Sequence, residues 1–338
     1  MPDPRLKTYA GQVVRHLATA GGVLVARQAT AGSHSGNVPP WPGAPDPDFH
    51  GTLAAVWIWA RHQRLSGVER FAAARTAAWS FLVDAAKRFV PDAIDSATDD
   101  EAAYDCAMVL LAAVAERGLE RVDGRRQAIT ERAARVLAMH LAALEDLSGR
   151  EFRDPGFLAI ALVEYARAID DRGLLSSGRK FVERAFGMKA PPPFASELAA
   201  AGGLFDFSST TATRILAVMA AEGNTPFVGA WLRERIAATV PRAFQARRLD
   251  ENSWNACAAW ALGRAYVVST DPIFMHAYTD IVDEIERRDG DRDGALGRDG
   301  TVRAAEVAPT FYYALAVDAL VTPESVGAAR AEAGGHGR

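Results

Sequence analysis

The stretch Leu53-Ala-Ala-Val-Trp-Ile-Trp-Ala60 is apolar at every position. A helix of that composition has no face to give to water, so it must be surrounded by protein. The segment that follows it is different: Arg70, Arg75, Asp84 and Lys87 punctuate an apolar stripe of Phe71, Ala78, Phe81 and Leu82, the pattern of a helix half exposed to solvent. An inner apolar helix followed by an outer amphipathic one is therefore the unit, and the unit recurs. One small residue from the middle of each apolar segment gives Ala55, Ala107, Ala159, Ala212, Ala258 and Ala314, separated by 52, 52, 53, 46 and 56 residues. A period of about fifty residues is the signature of a helical-hairpin repeat.

The first five inner segments are each followed by an outer one, predicted over 68–89, 125–147, 174–186, 226–244 and 272–288. The sixth, 310–320, has only the polar, Gly-rich tail 323–338 after it. The segment 6–26, with Val13, Val14 and Leu17 as its apolar stripe, supplies the missing partner. Two arrangements fit: an open stack of helix pairs, or a ring over 1–322 closed by the N-terminal helix. Closure removes the apolar ends that an open stack must cap, and this favours the ring.

Four inner segments carry a further likeness: Thr52-Leu-Ala-Ala-Val-Trp57, Tyr104-Asp-Cys-Ala107, Trp254-Asn-Ala-Cys-Ala258 and Phe311-Tyr-Tyr-Ala314. In their spacing the chain resembles the (α/α)6 toroids, shared by six-hairpin glycosidases, some polysaccharide lyases and sugar epimerases, and by terpenoid cyclases and protein prenyltransferases. The resemblance implies an all-α (α/α)6 toroid of six helical hairpins in one domain. It extends to architecture only. There is no Gln-rich, Trp-terminated repeat and no Asp-x-Asp-Asp, the nearest string being Ala97-Thr-Asp-Asp100, and the Asp-x-Cys with a distant His of a prenyltransferase zinc site is missing. Fold analogy therefore assigns no chemistry.

Composition removes several function classes. The 38 Lys and Arg against 42 Asp and Glu leave a net charge of -4 with the signs mixed along the chain, so no basic field is available to collect nucleic acid. No apolar stretch approaches the roughly 20 residues a membrane-spanning helix needs. Residues 1–5 carry prolines and charge in place of a signal-peptide core, and two cysteines are too few for a disulfide framework, so a cytoplasmic location is expected.

Connections from inner to outer segments are short, as in Arg64-Leu-Ser-Gly67, whereas those from outer to inner are long and polar, as in 90–101, 189–207 and 289–309. Long loops over a rigid scaffold are where sites are built, and these feed the N-terminal ends of the inner helices. The segment 29–49, bearing Trp41 within Pro39-Pro-Trp-Pro42, enters on the same face and would serve as a lid.

Acids stand just before the inner helices: Asp48, Asp99, Asp100, Glu151, Asp250, Glu251 and Glu306. They read either as helix caps or as a ring of carboxylates about a mouth. Polar residues inside the inner segments discriminate better, because a buried charge needs a partner or a wet cavity. Asp105 either pairs with Arg214 as scaffold or faces an axial cavity opposite Asn255. Aromatic residues interleave with these acids, namely Tyr104, Trp254, Phe311, Tyr312 and Tyr313, and suit a sugar whose ring face stacks while its hydroxyls bond.

Two carboxylates flanking a glycosidic bond would act as acid and as base or nucleophile. Asp105 with Asp206, Asp250 or Glu251 are the candidates, with Tyr104, Asp100, Arg214, Trp254, Asn255, Tyr312, Tyr313, His50 and Trp41 as substrate-binding residues. The expected function is a carbohydrate-active enzyme of hydrolase, lyase or epimerase type acting on a polyhydroxylated small molecule. An isoprenoid cyclase or isomerase and a non-catalytic interaction toroid are the alternatives. No cofactor is required. Asp289-Gly-Asp-Arg-Asp-Gly294 spells the first half of a calcium loop through Asp289, Asp291 and Asp293, but Gly300 stands where the loop's last ligand should be, so the choice is between a structural calcium and a polar turn.

Overall fold

A computed structural model describes residues 4–94, 100–119, 122–144, 155–186, 209–223, 252–289, 294–297 and 306–322. Every regular element among them is an α-helix: α1 (Pro4–Arg27), α2 (Phe49–Ser66), α3 (Ala72–Phe89), α4 (Asp100–Glu116), α5 (Gly124–Ala143), α6 (Pro155–Ile169), α7 (Arg172–Phe186), α8 (Ser209–Glu222), α9 (Asn252–Ser269), α10 (Pro272–Arg288) and α11 (Val307–Asp318). The predicted outer segment 226–244 and the tail 323–338 lie outside the described residues.

Local sequence sets the helix ends. Asp48 caps α2 by accepting the Gly51 N–H, and Asp123 caps α5 by accepting from Arg125 and Arg126. Asp271 does the same for α10, with Pro272 in the first turn where its missing N–H costs nothing. At the other end of α2, Gly67 takes the left-handed conformation (φ 74°) and returns its N–H to the Gln63 carbonyl, a turn that a side-chain-bearing residue would strain.

Helices α2, α4, α6, α8, α9 and α11 form the apolar layer. In that order each packs on the next, and α11 packs back on α2. Their burial follows from composition: α2 hides Leu53 through Ala60 entirely, and α4 hides Cys106 through Ala112. Gly156 lets the α6 backbone lie against that of α8, since a Cβ there would fall 2.8 Å from the Thr213 carbonyl carbon. The amphipathic helices α3, α5, α7 and α10 pack on α2, α4, α6 and α9 respectively. Helix α1 touches both α2 and α11, burying Val13, Leu17, Ala20 and Leu24. It is tied there by the Trp59 indole N–H donating to the Gly21 carbonyl at 2.9 Å.

The two ends of the inner layer are built differently. Its C-terminal halves surround a cavity of about 260 Å³ to which all six inner helices contribute side chains. Its N-terminal ends are crossed by aromatic rings. One charged cluster is purely internal: Glu116 at the end of α4 accepts from the Trp79 indole at 2.5 Å, bonds Arg126 and lies 3.7 Å from Arg75 Nε, all four being buried. No described helix is long and apolar enough to cross a membrane.

Candidate functional site

The loop between α1 and α2 is fixed across the N-terminal ends of the inner helices. The Asn37 side-chain oxygen accepts the Asp48 N–H at 2.9 Å and the Thr52 hydroxyl at 3.2 Å. The Val307 N–H, at the start of α11, donates to the Pro40 carbonyl at 2.9 Å. This places the first turn of α2 beside that of α4 and delivers His50 between two carboxylates. His50 Nδ1 is 3.4 Å from Asp48 Oδ1 and 3.6 Å from Asp105 Oδ1. Both carboxylates are buried, while the His50 side chain keeps 38% of its surface exposed.

Nδ1 thus faces inward to the acids and sets the ring's orientation, as a carboxylate does for a working histidine. Burial by itself would lower the His50 pKa, but the nearby carboxylates of Asp105, Asp48 and Glu101 outweigh it, and the net direction is up. Burial raises the Asp105 carboxyl, opposed by the nearby His50 and reinforced by Glu101 and Asp48. Burial likewise raises Asp48, opposed by His50 and the Gly51 N–H. Two desolvated carboxylates sharing one histidine hold their protons more tightly than free groups do, and the three groups are coupled as one proton-binding cluster.

The wall beside it is aromatic and hydroxylic. The His50 ring meets Tyr104 edge-on at 5.6 Å, Tyr104 stacks on Phe157 at 5.3 Å, and Phe157 meets Tyr312 at 6.0 Å. The Tyr104 and Tyr312 hydroxyls are hydrogen-bonded at 3.0 Å, joining α4 to α11. Burial raises the Tyr104 pKa above the ordinary tyrosine value against the bond to Tyr312, with the neighbouring Cys257 of α9 adding to the rise. Deeper in, Phe311 carries the ring contacts on to Trp57 at 5.5 Å.

Of the residues singled out in the sequence, His50, Tyr104, Asp105 and Tyr312 come together here. Asp48 joins them through its cap position. Of the two alternatives for Asp105, the scaffold pair does not form: Asp105 has His50 as its ion partner, because α2 and not α8 is the neighbour that reaches it, and the Arg214 guanidinium lies over the Phe186 ring at 5.7 Å. Tyr313 points the other way, bonding Glu286 at 3.1 Å and meeting His16 edge-on at 4.8 Å, because successive residues of a helix face different sides. Trp41 rides on the loop with 47% exposure. Asp100 opens α4, Trp254 lies in the first turn of α9, and Asn255 is buried one residue later.

Asp206, Asp250, Glu251, Asp291 and Asp293 lie outside the described residues. Asp289 ends α10 and accepts the Gly294 N–H at 2.8 Å, as a polar turn does. Among the described residues no group of three or more His, Cys, Asp or Glu is placed to hold a metal ion. Sequence reasoning missed Phe157, which carries no polar signal, and the charges of the opposite end, Arg61, Glu164, Arg264 and Asp318. Each of these four is a lone charge four to six residues past its anchor alanine, a register that was there to be read. Comparison with protein-family models, with curated proteins and with solved structures finds no match.

Proposed function

We propose that the chain is an (α/α)6 toroid of six helical hairpins, closed by α1, that carries an acid/base site at the N-terminal ends of its inner helices. The succession of helix contacts from α2 round to α11 and back supports the ring, as does the seat of α1 on both. The single observation that carries the site is His50 held through Nδ1 by two buried carboxylates, with its exposed edge left for a ligand. In this reading His50 is the group that gives and takes the proton, and Asp105 and Asp48 are positioning residues that hold its orientation and charge. The Tyr104–Tyr312 hydroxyl pair supplies donor and acceptor positions, and the adjoining rings a stacking face. A polyhydroxylated small molecule, of sugar or uronate type, fits this lining, and a hydrocarbon does not, so carbohydrate chemistry is preferred to isoprenoid chemistry. The ring stack from Tyr104 to Trp57 fills the interior behind the cluster, which is the feature that favours the alternative of a non-catalytic interaction toroid.

The test is a panel of monosaccharides, uronates and prenyl diphosphates screened by thermal shift, with product formation followed by NMR. A sugar or uronate should be turned over, and His50→Gln should lower that turnover by about 10²- to 10⁴-fold while leaving the melting transition cooperative. Turnover unaffected by His50→Gln would remove the acid/base assignment. A panel with no bound sugar, uronate or prenyl compound would leave the interaction toroid as the better reading.

A further inference from the structure

The cavity at the other end of the inner layer is a second candidate site, and its inference does not rest on the acid/base reading. Its apolar lining comes from Leu111, Ile160, Leu216 and Leu315, all buried, and from the side chains of Trp57 and Trp260. Charges stand at its rim, and most are already occupied. Arg61 Nε donates to Asp318 Oδ1 at 2.7 Å. Arg64 donates to the carbonyls of Val114, Ala115 and Arg117, closing the C-terminal turn of α4.

Arg264 is the exception. It lines the cavity and makes no hydrogen bond or ion pair among the described residues. Glu164, on the same wall, has no ion pair among the described residues either, its electrostatic neighbour being Arg167 on its own helix, whose guanidinium is bonded to the Ala221 carbonyl. The indoles repeat the pattern. Trp59 and Trp79 donate their N–H groups within the protein, whereas those of Trp57 and Trp260, both on the cavity wall, donate to no group among the described residues. Six helices thus enclose one unused guanidinium, two unused indole donors and one unused carboxylate around an apolar floor. Polar groups set at fixed positions over an apolar, concave surface define a ligand site, and the volume is that of a small one.

We infer that this cavity binds a small organic carboxylate that also carries a hydroxyl or amino group. The ligand's carboxylate takes Arg264 and the indole N–H groups, its donor takes Glu164, and its body lies on the floor between Trp57 and Trp260. Guanidinium is the natural partner of a carboxylate because its fork of N–H groups matches the two oxygens. The three arginines offset the partial negative charge that helix C-termini project here. Glu164 selects against a plain anion, since an unpaired carboxylate beside the ligand repels any ligand that brings no donor to it.

The experiment uses 4-hydroxybenzoate and glucuronate as probes on the full chain, with benzyl alcohol, 4-hydroxybenzyl alcohol and benzoate as controls. Binding is read by tryptophan fluorescence and by calorimetry. At least one probe should bind and quench emission, the neutral controls should not, and benzoate should bind more weakly than 4-hydroxybenzoate. Arg264→Gln should weaken the probe by about tenfold to a hundredfold, the loss expected for a charge-assisted hydrogen bond, with an unchanged melting temperature because Arg264 holds nothing else in place. Ala220→Leu, which fills the wall without touching a charge, should abolish binding, and His50→Gln should leave it unchanged. Absence of binding by both probes at about 10 mM, or equal binding by Arg264→Gln, or equal binding by the neutral controls, would overturn the inference.

Discussion

At the C-terminal end of the inner helices the carboxylates of Glu116 and Asp318 are matched with arginines, whereas at the N-terminal end two buried carboxylates are left to share one half-exposed histidine. Glu116 lies among Arg75, Arg126 and the Trp79 indole, and Asp318 holds Arg61. Among the described residues Asp48 and Asp105 have His50 alone as ion partner. Matched permanent charges fix geometry, whereas a histidine partner can gain or lose its proton and so leaves the local charge free to change. The same scaffold therefore carries a locked polar network at one end and a responsive one at the other, and substitutions at the two ends should behave differently.

The largest effect is expected at Glu116. Glu116→Gln keeps the shape but leaves Arg75 and Arg126 as buried cations without their carboxylate, and the Trp79 indole with a weaker acceptor. Breaking a buried network in this way costs about 3–5 kcal/mol, and chemical denaturation should show it as a shifted midpoint with the slope retained. A loss no larger than that of a surface substitution would mean that the two ends do not differ in the way their geometry says.

Asp105 should respond with the opposite sign. An acid whose pKa is raised in the fold binds its proton more tightly there than in the unfolded chain. Its contribution is most favourable below the ordinary carboxylate pKa of about 3.9 and is lost as the pH rises through the folded value. Asp48 follows the same rule. His50, also raised, contributes stability that is full below the ordinary histidine value and is lost as the pH rises through its folded one. All three groups thus lose stability with rising pH. Asp105→Asn should therefore be as stable as the parent or more so at pH 7, with the difference between the two curves closing toward pH 4. The difference curve is the quantity to measure, because His16 and His62, each pushed down to about 4 by burial, slope the other way.

The two ends also differ in how far the sequence announced them. The inner helices were legible because nothing polar interrupts Leu53–Ala60 or Cys106–Ala113, and the order of contacts from α2 to α11 follows the order of the anchors. His50, Tyr104, Asp105 and Tyr312 were each visible as polar or aromatic residues at helix entrances. Their pairing was not: whether Asp105 meets Arg214 or His50 depends on which helix is its neighbour and how each is rotated, and one residue turns a side chain by about 100°. That rotation is what separates Tyr312, on the site, from Tyr313, against His16. The opposite cavity escaped notice because its charges fall in the second halves of the inner helices, where short turns follow and long loops do not. A search for sites near long loops is led away from it.

The smallest effect on stability, and the sharpest on function, belongs to Asp318. Its pair with Arg61 is partly exposed, the side chains keeping 23% and 17% of their surface, and ion pairs in such settings are worth about 0–1 kcal/mol. Asp318→Asn should thus melt within a few degrees of the parent. The cavity would change more than the fold. With Asp318 neutral, Arg61 joins Arg264 as a second guanidinium available at the rim, and one of the two acids that repel an anion is gone. Affinity for 4-hydroxybenzoate or glucuronate should then rise, and rise most at low ionic strength, where rim charges are least screened. Calorimetric titration of the parent and Asp318→Asn at two salt concentrations measures this. Tighter binding with an unchanged melt would show the charges of this end to be arranged around a ligand, whereas a large drop in melting temperature would place Asp318 with Glu116 among the groups that hold the scaffold together.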